Sequence, residues 1–205
     1  MAEFDKDYWE AHWSPAATSR GRHLPVNPYL PIETAHLPAG TALDAGCGAG
    51  AEALWLAEHG WEVTAADIAA TALAAARARA SDAGADARIE WVEADLTRWA
   101  PERTWDLVVT GYAHADIGQL ALYRRLASWV APAGTLLIVG HLHGHRHDDR
   151  PGPPQEATAT LDTMTDLFSG PGWRIEAGYE HTRAVRPGGR TVQLRDVVVR
   201  ARRLA

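Results

Sequence analysis

The stretch Ala42-Leu43-Asp44-Ala45-Gly46-Cys47-Gly48-Ala49-Gly50 decides how the rest of the chain is read. Thr41 to Ala45 has the character of a buried strand, the alternate glycines that of a turn, and Ala51 to His59 that of a helix stopped by Gly60. A turn lacking Cβ atoms, set between a strand and a helix start, lets a ligand approach the backbone and its free N–H groups. Read locally, Gly46, Gly48 and Ala51 also satisfy the dinucleotide pattern G-x-G-x-x-G/A, with Asp67 spaced as a ribose-binding acid would be. The turn alone leaves both cofactor classes open. Asp44 tilts the choice, because a carboxylate two residues before the glycines favours a cofactor carrying positive charge over a pyrophosphate.

Downstream, strand and helix signals alternate. Trp61 to Ala66 reads as a strand closing on Asp67, and the alanine-rich run Ala69 to Ala80 as a helix on propensity alone. Arg88 to Val92, Trp105 to Thr110 and Gly134 to Gly140 read as strands, with helices over Ile117 to Val130 and Leu161 to Phe168. Trp173 to Val185 and Thr191 to Arg200 are strands joined by Pro187-Gly188-Gly189-Arg190, a hairpin signal. The pattern predicts an α/β fold: a Rossmann-like, seven-stranded, mostly parallel sheet with helices on both faces and a C-terminal antiparallel β-hairpin. Upstream, Tyr8, Trp9, His12 and Trp13 recur at helical spacing within Asp5 to Trp13. Pro25, Pro28, Pro31 and Pro38 then interrupt any regular element, so Leu24 to Gly40 reads as a connector or lid with too few apolar residues to bury. The organisation expected is an N-terminal helix and Pro-rich lid over 1–40 and a cofactor-binding unit over 41–205, one domain overall.

Composition narrows the partners. With 46% apolar and 22% charged residues a packed core is expected. A net charge of -6 repels phosphate backbones and anionic lipid, so nucleic acid and membrane are not expected partners and a small neutral or cationic substrate is. The one cysteine, Cys47, excludes an internal disulfide framework and a Cys/His zinc site, which fits a cytoplasmic chain. The N-terminus lacks a basic region followed by an apolar run, and nothing marks the chain for export. A monomer or homodimer is expected. Most of the nine tryptophans are expected to be core fillers.

The run ALDAGCGAGAEALWLAEHGWEVTAADI, then EWVEADL, WDLVVT and GTLLIVGH, resembles the successive motifs of class I methyltransferases that use S-adenosyl-L-methionine (SAM) and release S-adenosyl-L-homocysteine (SAH). It is most similar to bacterial small-molecule members related to the tellurite- and thiopurine-methylating enzymes, over about Thr41 to Arg203. The resemblance implies that Asp44 and the turn Gly46, Cys47, Gly48 and Gly50 hold the methionine moiety of SAM. It implies that Asp67 accepts from the ribose hydroxyls and Ile68 packs on adenine, while Asp95 accepts from the adenine amino group and the Leu96 N–H points at a ring nitrogen. Thr110 and Gly111 would approach the sulfonium. Each aspartate also has an ordinary use as a cap or turn residue, which a ligand at one sheet edge would explain together.

Methyl transfer from a sulfonium is an in-line displacement, so positioning carries most of it, and an oxygen nucleophile would add the need for a base. His114, in Gly111-Tyr112-Ala113-His114-Ala115-Asp116, is the candidate base, with Asp116 to orient it, or else it only lines the pocket. Tyr112 would offer its ring to the sulfonium or simply pack. Trp9 and Trp13, one helical turn apart, would close as a lid or fill core. In the run from His141 to His147, His141, His143, His145 and His147 share a face if extended. The Gly144 and Asp-Asp-Arg-Pro-Gly-Pro-Pro context favours a substrate-facing loop holding His141 and His143, and no metal is assigned. The alternatives kept open are an NAD(P)-dependent oxidoreductase, which the local glycine pattern allows, and a non-catalytic SAM-binding module.

Overall fold

The structure, a computed structural model, describes residues 4–14, 25–142, 158–185 and 191–205. After α1 (Lys6–His12) and α2 (Tyr29–Thr34), β1 (Thr41–Ala45), α3 (Ala51–Glu58), β2 (Glu62–Asp67), α4 (Ala70–Ala83), β3 (Ile89–Glu93) and β4 (Trp105–Gly111) alternate. Then follow α5 (Gln119–Ala127), β5 (Val130–Leu142), the two-residue β6 (Thr158–Ala159), α6 (Leu161–Leu167), β7 (Trp173–Val185) and β8 (Val192–Arg203). The main sheet runs β3-β2-β1-β4-β5-β8-β7, with β6 paired to the end of β5. β3, β2, β1, β4 and β5 are parallel, and β8 is antiparallel to both β5 and β7. The expected Rossmann-like sheet closed by an antiparallel pair is therefore the fold observed. The turn expected at 187–190 lies outside the described residues.

Apolar residues alternate along the strands and build a core on each face. Ala42, Val63, Leu107 and Leu137 pack beneath α2, α3 and α4 with Leu54, Leu56 and Leu73, while Leu43, Val108, Leu136 and Ile138 pack with Leu122, Tyr123, Leu126 and Met164 of α5 and α6. Trp61, Trp105 and Trp129 are buried core fillers, and Trp55, Trp91, Trp99 and Trp173 pack partly buried against the core, so most of the tryptophans serve it as expected.

The Pro-rich stretch departs from expectation, because α2 forms within it. Pro28 takes the N-cap position and Pro31 the third residue of the helix, where the backbone N–H has no intrahelical acceptor to lose. The segment also buries Tyr29 and Leu30 against the sheet, so it belongs to the core and is more than a connector. α5 starts at Gln119 rather than Ile117, since Gly118 at φ 81° turns the chain into the helix. β5 extends both ways past the expected 134–140.

α4 has no side-chain cap of its own. Glu10 of α1 accepts from the Ala70 and Thr71 N–H groups and from the Thr71 hydroxyl, at 2.7, 3.2 and 2.6 Å. An N-terminal helix start with its orphan donors thus anchors α1 across the carboxyl edge of the sheet.

Candidate functional site

The carboxyl ends of β1, β2 and β4 open on a cavity of 1430 Å³. One wall is the glycine turn. Gly46 has φ 80° and Gly48 φ 51°, and a Cβ would stand 2.6 Å from the Ala113 Cβ in the first case and 2.6 Å from the Trp13 ring in the second. Both positions therefore need glycine for conformation and for space. Gly46→Ala is expected to lower folding stability by about 1–3 kcal/mol, read as a lower urea midpoint with unchanged m value. An unmoved midpoint would refute the strain argument.

Asp67 ends β2 at the cavity wall with both carboxylate oxygens oriented by backbone, Oδ2 accepting from Gly48 N–H (2.8 Å) and Oδ1 from Ala69 N–H (2.9 Å). Burial pushes its carboxyl above the ordinary range against those bonds. Asp44 is 2% exposed, stands behind the turn rather than on the wall, and leaves Oδ2 without a hydrogen-bond partner. Burial, then Glu52 and then Asp67, drives its carboxyl well up. Glu52, second residue of α3, lines the cavity and accepts from the Asn27 N–H at 2.8 Å; burial raises it too. These carboxylates crowd a glycine turn that has room for a cation. Cys47 is buried beside them and its thiol is driven well up, chiefly by burial, which keeps it protonated and inert.

Of the remaining expected residues, Ile68, Asp95, Leu96 and Gly111 line the cavity, while Thr110 and Gly50 do not. Thr110 is buried with its hydroxyl unpartnered, and a Cβ on Gly50 would run into Trp91. Asp95 also serves its turn: Oδ1 accepts from the Thr97 N–H and hydroxyl at 2.9 and 2.7 Å, and Oδ2 lies 3.6 Å from Arg98 Nε.

The opposite wall is aromatic. Trp9, His114, His141 and Tyr112 follow one another with ring centroids 6.2, 5.7 and 4.5 Å apart and tilts of 27°, 32° and 30°. Phe4 closes on His114 at 5.3 Å. Trp9 and Trp13 both line the cavity, so the pair is not plain core. His143, His145 and His147 lie outside the described residues.

His114 is oriented by Gln119, not by the expected Asp116, which is exposed to solvent. The Gln119 amide donates to the Ala113 carbonyl at 2.7 Å, which turns its oxygen toward His114 Nδ1 at 3.2 Å. Nδ1 must then carry the proton, leaving the Nε2 lone pair open. Burial lowers the imidazole pKa, so the ring is neutral near pH 7.

Sequence reasoning missed Glu52, Gln119, Arg183 and Asp196. Tyr112, in the left-handed region at φ 56°, accepts from Arg183 Nη2 at 3.0 Å. Arg183 Nε donates to Asp196 Oδ2 at 2.7 Å, and the Tyr29 hydroxyl donates to the same oxygen at 3.0 Å. Such backbone strain at a cavity wall marks a position held by its surroundings.

Residues 42–134 match the family model described as a methyltransferase domain. The chain is similar to a probable thiol methyltransferase of Arabidopsis thaliana, 28% identical over 165 residues that span 78% of this chain and 71% of that one. Two other curated relatives are covered over 32% and 54% of their length. Among solved structures, one described by the conversion of a disulfide bond into a thioacetal group during echinomycin biosynthesis superposes with TM-score 0.73 at 26% identity, covering 97% of this chain and 92% of that one. The magnesium protoporphyrin IX methyltransferase of Synechocystis, with bound SAM, shares the fold at TM-score 0.66 and 18% identity over 99% of both chains.

Proposed function

We infer the reaction from one premise, that the chain belongs to the class I SAM-dependent methyltransferases: it methylates a small-molecule nucleophile and releases SAH. The observation that carries the cofactor's place is the crowding of Asp44, Glu52 and Asp67 around the glycine turn, where each carboxyl is raised by burial. A ligand with ammonium and sulfonium charges relieves that crowding, whereas a nicotinamide dinucleotide would add two phosphates to it. The oxidoreductase alternative is not favoured.

Those residues suit the cofactor's parts. Gly46, Cys47 and Gly48 would face the methionine moiety, with Glu52 at the cavity wall and Asp44 acting through its field from behind the turn. Asp67 keeps lone pairs for the ribose hydroxyls, since its two oxygens have about four and the backbone does not take them all. Ile68, Asp95 and Leu96 would flank adenine. Thr110, buried and off the cavity wall, would support Gly111 from behind rather than touch the ligand. SAM supplies an electrophilic methyl group, so the protein's remaining work is to place and, where needed, deprotonate the acceptor. His114 Nε2 would take that proton, with Gln119 holding the tautomer, while Tyr112 and Trp9 exclude water from the aromatic wall. A sulfur nucleophile is the first acceptor to test, on the likeness to a probable thiol methyltransferase. We take segments 4–14 and 25–40 as part of one domain with 41–205. The net charge of -6 supports a chain without nucleic-acid partners and the single cysteine a cytoplasmic one, which we take as a monomer or homodimer. Among the described residues no helix is long and apolar enough to cross a membrane.

Calorimetric titration with SAH and with NADH tests the reading: heat with SAH alone supports it, and silence with SAH ends it. Linkage adds a pH signature. The folded carboxyls of Asp44, Glu52 and Asp67 titrate above their unfolded values, so the free protein is stabilised below the ordinary carboxylate range and loses that contribution as pH rises through the raised values. A cationic ligand favours the ionised forms, so SAM affinity is expected to rise over the same interval with proton release. Affinity that is flat or falls with rising pH there would remove the electrostatic argument.

A further inference from the structure

We propose that Arg183 is a carboxylate-binding subsite for the methyl acceptor, which is therefore a flat aromatic acid rather than a neutral molecule; this rests on the methyltransferase reading above. Arg183 lines the cavity beyond Tyr112, the last ring of the aromatic wall. Two side chains hold it there. Nε donates to Asp196 and Nη2 to the Tyr112 hydroxyl, and the guanidinium sits 5.9 Å over the Tyr29 ring.

Those bonds use one edge of the planar fork, the one shared by Nε and Nη2. The Tyr29 hydroxyl also interacts with the guanidinium, and a carboxylate would be received at the Nη1 end of the fork, whose hydrogen spacing matches two carboxylate oxygens. Asp196 is fully buried at 0% exposure, also receives the Tyr29 hydroxyl, and leaves Oδ1 unpartnered. Burying a carboxylate in that state is costly, and what the cost secures here is a guanidinium fixed at a cavity wall. A surface ion pair would need none of this.

The wall between the two ends sets the shape of the ligand. His114, His141 and Tyr112 present rings at tilts of about 30° that lead from the candidate base to the guanidinium. An acceptor lying along them would put its nucleophile beside His114 and its carboxylate against Arg183. The two cavity ends then differ in charge: carboxyls crowd the turn that would take the cationic donor, whereas at the other end Arg183 offsets Asp196 and its guanidinium would meet the anionic acceptor directly.

The test is binding to SAH-loaded protein, with 4-(methylsulfanyl)benzoate and its carboxamide as product-like probes. The acid is expected to bind at least about tenfold more tightly than the amide, and Arg183→Met to erase that difference while SAH affinity stays unchanged. Arg183→Lys should restore part of it. Because Arg183→Met strands Asp196, the double variant Arg183→Met, Asp196→Asn repeats the measurement without a buried lone charge. Equal binding of acid and amide by the parent protein, or a preference that survives both variants, overturns the subsite. Failure of SAH itself to bind is a different result, and it strikes the methyltransferase reading instead.

Discussion

Asp67→Ala is expected to weaken SAH and SAM binding by about two orders of magnitude or more. The carboxylate holds the Gly48 and Ala69 N–H groups at 2.8 and 2.9 Å, so one side chain fixes the glycine turn, the entry to α4 and the proposed ribose contact together. Hydrogen bonds to a charged group contribute about 1.5–3 kcal/mol each, and losing a pair of them to the ribose accounts for a hundredfold change on its own. Relaxation of the turn adds to it. Asp67→Asn separates these effects, because the amide oxygen can keep one backbone donor while the negative charge is gone. Calorimetry on both variants, with thermal unfolding to show that they fold, decides the matter. SAH affinity within threefold of the parent in Asp67→Ala would mean that the cofactor does not use this carboxylate.

The parts of the site carried by local pattern were legible before the fold was known. Gly46, Gly48 and Asp67 sit in a strand-turn-helix-strand succession whose periodicity fixes where strand ends fall, and strand ends are where α/β folds bind ligands. His114 was legible as a polar residue just beyond β4. What was not legible depends on contacts between distant segments. Gln119 looks like an ordinary residue at a helix start; only the fold of the turn after Tyr112 brings it to His114, while the nearer Asp116 faces solvent. Arg183 and Asp196 lie on opposite strands of a hairpin in which Arg183 pairs with Leu194 and Asp196 with His181, and no spacing rule sets that register. Glu52 could have been suspected as an acid inside an otherwise apolar helix start. α2 is hidden by the proline content of its segment, because what matters is where the prolines fall: at the first turn of a helix a missing N–H costs nothing.

His114→Ala is expected to divide acceptors by their need for a base. For a phenol, whose proton must leave as the methyl arrives, removing the Nε2 lone pair should lower kcat by about 10²–10⁴-fold with KM little changed. For a thiol already ionised at the working pH the loss should be only a few-fold, since positioning suffices there. The direction of the His114 shift makes the pH profile a second readout. Burial lowers its pKa, so the parent enzyme's rate on a phenol should already be on its plateau at pH 7 and fall only as pH drops below the ordinary imidazole value. Gln119→Glu would place a carboxylate at Nδ1, stabilise the protonated ring and move that acid limb to higher pH. Gln119→Leu frees the tautomer and should lower kcat without moving the limb upward. A merely packed histidine would predict none of this ordering: equal losses for phenol and thiol in His114→Ala, together with an acid limb unmoved by Gln119→Glu, would show that the imidazole lines the cavity and handles no proton.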